Sequence, residues 1–369
     1  MGSARGSRPP MTKPQINYPL VMRHRFFPAL HSLRGLAALW VLVFHTWFFS
    51  GEKELVVGLD KLFKVGWLGV HLFYALSAFL LTLHLLRARD RRYGLFFKRR
   101  FLRIFPAYWF QLILLVTIGA WVGLDTAAAR QYWPEHIFMF FNLPPRIAQP
   151  MNGVWWTLPV EFLFYLLLPV LLWMLLKLRP LAFFAFAVAM TIAFRFVMFR
   201  RFGSEVGILI EQLPGVLSVF GAGMVAAWWM HSWPERRPAW LLPVALLGFI
   251  AWIAVLLIDV EGYWKGSVLL YVWGSVSAVF ISALIASLFD SNKRLLAHGV
   301  AVWLGEVSYG IYLWHLPVIL SLLHFQPRLA DSMVWLTVAV LPFTLLLAWI
   351  SLRWVERPAM KLGRGKQAA

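Results

Sequence analysis

The chain reads as a succession of long apolar runs separated by short polar stretches, with no sustained alternation of period two. Ten runs stand out, near residues 31–50, 66–86, 103–123, 156–176, 181–199, 207–230, 239–258, 266–289, 303–325 and 333–353. Each approaches the length of about 20 residues that an α-helix needs to cross a bilayer. Backbone groups in lipid must bond within their own segment or around a closed barrel, and barrel strands need an alternation these runs lack. The fold class expected is therefore all-α, a polytopic transmembrane helix bundle of about ten spans. The first run is about twice the length of a signal-peptide core and has no small-residue cleavage site behind it, so it reads as a retained span. Residues 1–25, rich in Gly, Ser and Pro, read as a disordered basic tail. A membrane domain is expected over 26–358 and a second short basic tail over 359–369.

Composition strengthens this pattern. At 61% hydrophobic and 14% charged, the chain is far from a soluble domain. The formal charge of +19 is read as a topology signal, not a nucleic-acid footprint, because cytoplasmic loops of membrane proteins collect Lys and Arg. With the N-terminus inside, most of the basic residues fall in cytoplasmic loops, and an even number of spans returns the C-terminus to the same side. The stretch RARDRRYGLFFKRRFLR (87–103) contributes most, while Arg200 and Arg201 fall on the opposite side. There are no cysteines, which excludes disulfides, Cys-ligated metal and an acyl-cysteine intermediate.

Ionisable residues inside a span cost roughly 2.5–3.5 kcal/mol each on insertion scales, so those present are functional candidates. In HSLRGLAALWVLVFH (31–45), Arg34 and His45 are eleven residues apart. Eleven positions turn a helix three times plus about 20°, placing both side chains on one face and roughly 16 Å apart along the axis. A snorkelling anchor for Arg34 and a packing histidine for His45 are the structural alternatives. In WWTLPVEFLFYLLLP (155–169), Thr157, Glu161 and Tyr165 recur at i, i+4, i+8 on one stripe. Glu161 would lie at a depth similar to His45, where a carboxylate could orient an imidazole; pairing with a cation for packing is the alternative. In GEVSYGIYLWHLP (305–317), Ser308, Tyr312 and His315 line one face, with Tyr309 beside them. FFKRRFLRIFPAYW (96–109) places Lys98, Arg99, Arg100 and Arg103 at the mouth of the third helix, as a positive-inside flank or as guanidinium forks for phosphate. Arg195 is expected to snorkel, Glu211 to face an outer cavity and His71 to lie at the interface.

Taken in order, these segments resemble the acyltransferase-3 family, polytopic enzymes that O-acylate surface glycans and some small molecules. The likeness runs over about residues 29–358. It is carried by Arg34 and His45 with ten residues between them, GWLGVHLFYALSAFLLT (66–82), FFKRRFLRIFPAYW, the helix with Trp156 and Glu161, SYGIYLWHLP and WVERPAMK (354–361). Ala78 stands where the family usually has Gly, and His71 where an acidic residue is common. The resemblance implies the stand-alone form of the family in a bacterial inner membrane, with cytoplasmic acyl-CoA, acetyl-CoA by default, as donor substrate and no resident cofactor or metal. Arg34, Arg100 and Arg103 would hold the donor's phosphates, and His45 with Glu161 would perform the transfer. Trp156, Ser308, Tyr309, Tyr312 and His315 would position substrate. The acceptor would be a hydroxyl of a glycan or lipid-linked glycan reaching the site from the periplasmic or lipid side, with membrane lipids around the bundle and no nucleic-acid partner. A transporter or flippase of a glycan or lipid intermediate is the competing class, separated by acyl-CoA dependence.

Overall fold

The computed structural model describes residues 27–51, 59–88, 92–141, 150–235, 237–289, 291 and 296–363. The expected N-terminal tail lies outside the described residues, as do residues 364–369 of the C-terminal one.

Among the described residues, ten helices are long and apolar enough to cross a membrane and no strand occurs. They are α1 (Pro28–Phe49), α2 (Leu68–Arg87), α3 (Tyr93–Ile118), α4 (Thr157–Lys177), α5 (Pro180–Phe202), α6 (Leu217–Ser232), α7 (Leu241–Ile258), α8 (Val268–Leu288), α9 (Gly299–Phe325) and α10 (Met333–Ser351). Two boundaries depart from the apolar pattern. The third helix begins about ten residues before its apolar run, so Lys98, Arg99, Arg100 and Arg103 lie on its opening turns and not in a loop. Helix α6 begins about ten residues late. Gly203–Glu211 and Leu213–Val216 form 3-10 turns, kinked at Gly207, whose φ of 43° is open to glycine at no steric cost.

The bundle centres on α1, which packs along α9 and against α2, while α9 is backed by α10 and α2 by α6. Small residues permit these approaches, as expected where lipid removes the hydrophobic drive between helices. At the α1–α9 crossing a Cβ on Gly305 would lie 2.0 Å from the His31 carbonyl oxygen, and one on Gly35 would lie 2.8 Å from the Gly305 nitrogen. At the α2–α6 crossing a Cβ on Gly223 would lie 2.5 Å from the Ala75 carbonyl.

After α10 the chain passes through a π turn, Leu352–Glu356, into a short helix, Arg357–Leu362, that packs on α3. The expected tail from 359 thus begins inside that helix. The π turn aims buried Glu356 at Arg103.

Candidate active site

A cavity of about 110 Å³ opens between α1, α2, α3, α4 and α9. Its walls contain Arg34, Arg100 and Arg103 together with Glu161, Tyr309 and Tyr312, all expected from the sequence to share a site. Ser77, Thr157 and Tyr165 complete its polar lining.

The three arginines are differently engaged. Arg103 donates to Glu356 at 2.7 Å, with its guanidinium carbon 5.4 Å from the centre of the Tyr309 ring. Arg100 lies 6.0 Å from the centres of the Phe96 and Tyr165 rings, and its Nε is buried without a partner. Arg34 has neither a hydrogen bond nor an ion pair among the described residues, although it lies in the cavity wall. Two guanidiniums therefore present unspent donors to one small cavity. Such an arrangement suits an anion, phosphate above all, since the fork of a guanidinium matches its oxygens.

Glu161 sits on α4 and accepts from Ser77 Oγ at 2.8 Å and from the Tyr165 hydroxyl, both at Oε1. Thr157, Glu161 and Tyr165 all line the cavity, and none of them is hydrogen-bonded to His45 among the described residues. The expectation that Glu161 orients the imidazole is corrected here. Ser77, the residue before Ala78, is the partner of Glu161 from α2. Sequence spacing could not have found this, since it is set by the α2–α4 approach.

The partner of His45 is His315. Their rings are 4.9 Å apart between centroids, with His315 Nε2 3.2 Å from His45 Nδ1. The surrounding carbonyls assign the protons. His315 Nδ1 lies 3.0 Å from the Ile311 carbonyl and must donate to it, which leaves Nε2 a lone pair. His45 Nδ1 faces that lone pair and the Val41 carbonyl at 2.9 Å, two acceptors, so it carries the proton. The lone pair of His45 is then on Nε2, the nitrogen free to act.

Neither histidine lines the cavity. Tyr312, in the cavity wall, has its ring centroid 5.9 Å from that of His315, so its ring touches both the cavity and the histidine pair. The Tyr312 hydroxyl is fixed by donating to the Val154 carbonyl and accepting from Thr157, each at 2.9 Å. Ser308 is fully buried and spends its hydroxyl on the Gly305 carbonyl of its own helix at 2.8 Å, away from the cavity. Tyr309 does line the cavity, its hydroxyl tied to the Ile104 carbonyl at 3.0 Å. Trp156 ends the 3-10 turn Gly153–Trp156 and is not part of the lining.

Arg195, Glu211 and His71 form a second buried cluster. Arg195 is fully buried, bonding Glu211 at 2.8 Å, the Tyr263 hydroxyl at 3.0 Å and the carbonyls of Gly215 and Leu270. It does not snorkel. His71 Nε2 meets the other Glu211 oxygen at 3.1 Å, inside the protein and not at the interface. Burial pushes the Glu211 carboxyl up, but Arg195 and His71 override it and hold it at about 2.

Residues 27–353 match the family described as an acyltransferase domain, the acyltransferase-3 family. The chain belongs to that family. It is 29% identical over 374 residues to nodulation protein 10 of Rhizobium leguminosarum bv. viciae, covering 89% of this chain and 92% of that one. It is 24% identical over 376 residues to the peptidoglycan O-acetyltransferase OatA of Listeria monocytogenes, covering 92% of this chain but only 56% of that protein. A protein of Acidianus two-tailed virus named as a candidate acetyltransferase is 27% identical over 302 residues, covering 80% of this chain and 84% of that one. The chain thus spans little more than half of the peptidoglycan enzyme it matches. No solved structure matches it. The relatives named for their activity are acetyltransferases, and this chain is a multi-pass membrane protein of an acyltransferase family.

Proposed function

We propose that the protein transfers an acyl group, acetyl by the names of its relatives, from acyl-CoA to a hydroxyl of a glycan-like acceptor at a bacterial inner membrane. The observation that carries this reading is the succession of an arginine-lined cavity, the Tyr312 ring that touches both it and His315, and a histidine pair with one free nitrogen. Arg34 and Arg100 would bind the donor's phosphates, with Arg103 held beside them by Glu356. The helix face shared by Arg34 and His45 spans roughly 16 Å, a distance an extended pantetheine arm can bridge. Movement of the Tyr312 wall or of the arm past it would bring the thioester to the pair.

In the proposed step, Nε2 of His45 takes the proton of the acceptor hydroxyl as its oxygen attacks the thioester carbonyl carbon. The C–S bond then breaks, an ester forms, and the proton passes from His45 to the leaving thiolate. The imidazolium formed transiently on His45 is supported through Nδ1–H by two acceptors, His315 Nε2 and the Val41 carbonyl. Glu161 stays with Ser77 and Tyr165 and serves the cavity.

The test is acyl transfer by protein reconstituted in lipid vesicles with radiolabelled acetyl-CoA. His45→Ala is expected to abolish transfer while inserting normally, and Arg34→Gln to raise the donor KM by about 10-fold or more, the loss of a charge-assisted contact. Transfer by correctly inserted His45→Ala at a near-normal rate would remove the reading, as would export of an unmodified glycan without any acyl donor.

A further inference from the structure

We propose that Gln111 and Asn152 are positioning residues for the transfer, because they hold the Leu313 carbonyl in the turn of α9 that carries His315 against His45. The inference rests on the reading of that pair as the reacting site.

Pro317 lies inside α9. A proline has no N–H, so the carbonyl four residues earlier loses its helical partner, and the ring presses that turn open. The carbonyl concerned belongs to Leu313, and His315 lies midway between the two. An unpaired carbonyl inside a membrane bundle must find a donor elsewhere.

Here it finds two. Gln111 Nε2 on α3 donates to it at 2.7 Å, and Asn152 Nδ2, in the segment leading into α4, donates at 3.0 Å. The remaining groups are then committed. Gln111 Oε1 accepts from the Trp155 indole at 2.7 Å, and Asn152 Oδ1 accepts from the Val154 N–H at 3.3 Å. Gln111 and Trp155 are wholly buried, and Asn152 nearly so.

If satisfying the carbonyl were the only requirement, a residue with an N–H at position 317 would meet it within the helix and leave Gln111 unnecessary. The proline and the two side-chain donors instead tie this turn to α3 and to the segment leading into α4. A displacement of about 1 Å at a reacting group can cost on the order of 100-fold in rate, so the placement of this turn bears directly on the His45–His315 contact of 3.2 Å.

The test compares wild type, Gln111→Met, Pro317→Ala and the double variant in the vesicle assay, with thermal melting in detergent and His45→Ala as reference. Gln111→Met is expected to lower both melting temperature and kcat, the latter by about 10- to 100-fold, with donor KM within about twofold. Adding Pro317→Ala returns an N–H to the Leu313 carbonyl. The double variant should therefore recover only part of the melting temperature, since the Trp155 indole N–H still lacks the Gln111 acceptor, while kcat stays low. Asn152→Ala, which leaves the Gln111 contact in place, should show a smaller loss in kcat. Recovery of kcat together with melting temperature in the double variant would overturn the proposal, as would wild-type kcat in Gln111→Met beside an inactive His45→Ala. Activity in His45→Ala would instead overturn the reading of the histidine pair.

Discussion

Glu211 shows what burial does to a single residue. Its carboxylate is shared between Arg195 and His71 deep in the protein, and its pKa of about 2 lies below the ordinary carboxylate value of 4.5. A carboxyl depressed on folding adds stability that is fully present above its unfolded pKa and is lost as pH falls toward the folded one. The melting temperature is therefore expected to be insensitive to this group from neutral pH down to about 4.5, and then to fall between there and about 2. Glu211→Gln leaves the buried Arg195 charge uncompensated, which typically costs about 3–5 kcal/mol. Calorimetry should show a lower melting point at neutral pH and a weaker acid dependence. At the cavity, Tyr165→Phe removes one of the two donors to Glu161 Oε1 without changing shape, leaving Ser77 as the other. It should reduce donor affinity by several-fold and leave melting nearly unchanged, measurable by donor titration of transfer rates.

Among the elements, the α1–α9 crossing is the most constrained. Any side chain at Gly305 meets backbone of α1, an obstacle that no rotamer change can relieve. Gly305→Val is expected to push the helices apart, lower the yield of folded protein and separate His45 from His315, seen as loss of the monodisperse peak in size-exclusion chromatography. Gly299→Ala, at a position with open space, should be tolerated. Apolar periodicity placed the spans well but misjudged where two of them begin. Helix α3 extends through FFKRR, where Arg100 lines the cavity and Arg99 donates to the Gly363 carbonyl at 3.1 Å, at the end of the last short helix. Hydropathy sees only the charges. Helix α6 starts late because Gly207 and Pro214 favour 3-10 turns over a regular helix.

For the whole molecule, the expected topology places both ends of the chain on the side that holds Arg34 and Arg100. The absence of native cysteines makes this directly measurable. A single cysteine introduced at Lys361, exposed on the last short helix, should be labelled by an impermeant maleimide only after the membrane is opened, and one at Glu261, in the exposed turn after α7, should be labelled in intact cells. The reverse result would invert the route from donor to acceptor.

The amino-acid order alone determined the ten helices, their approximate limits and a short set of polar residues within them, because bilayer thickness and backbone hydrogen bonding leave little freedom to a chain this apolar. It also carried the shared face of Arg34 and His45, since that follows from helical pitch within one segment. What only the tertiary structure decided was partnership: His315 and not Glu161 beside His45, Ser77 beside Glu161, Arg195 drawn inward to Glu211, and Gln111 on the carbonyl freed by Pro317. Each of these joins different helices or loops. Such contacts depend on how the helices rotate and cross, which glycine approaches and buried hydrogen bonds settle together and which no periodicity within a single span records.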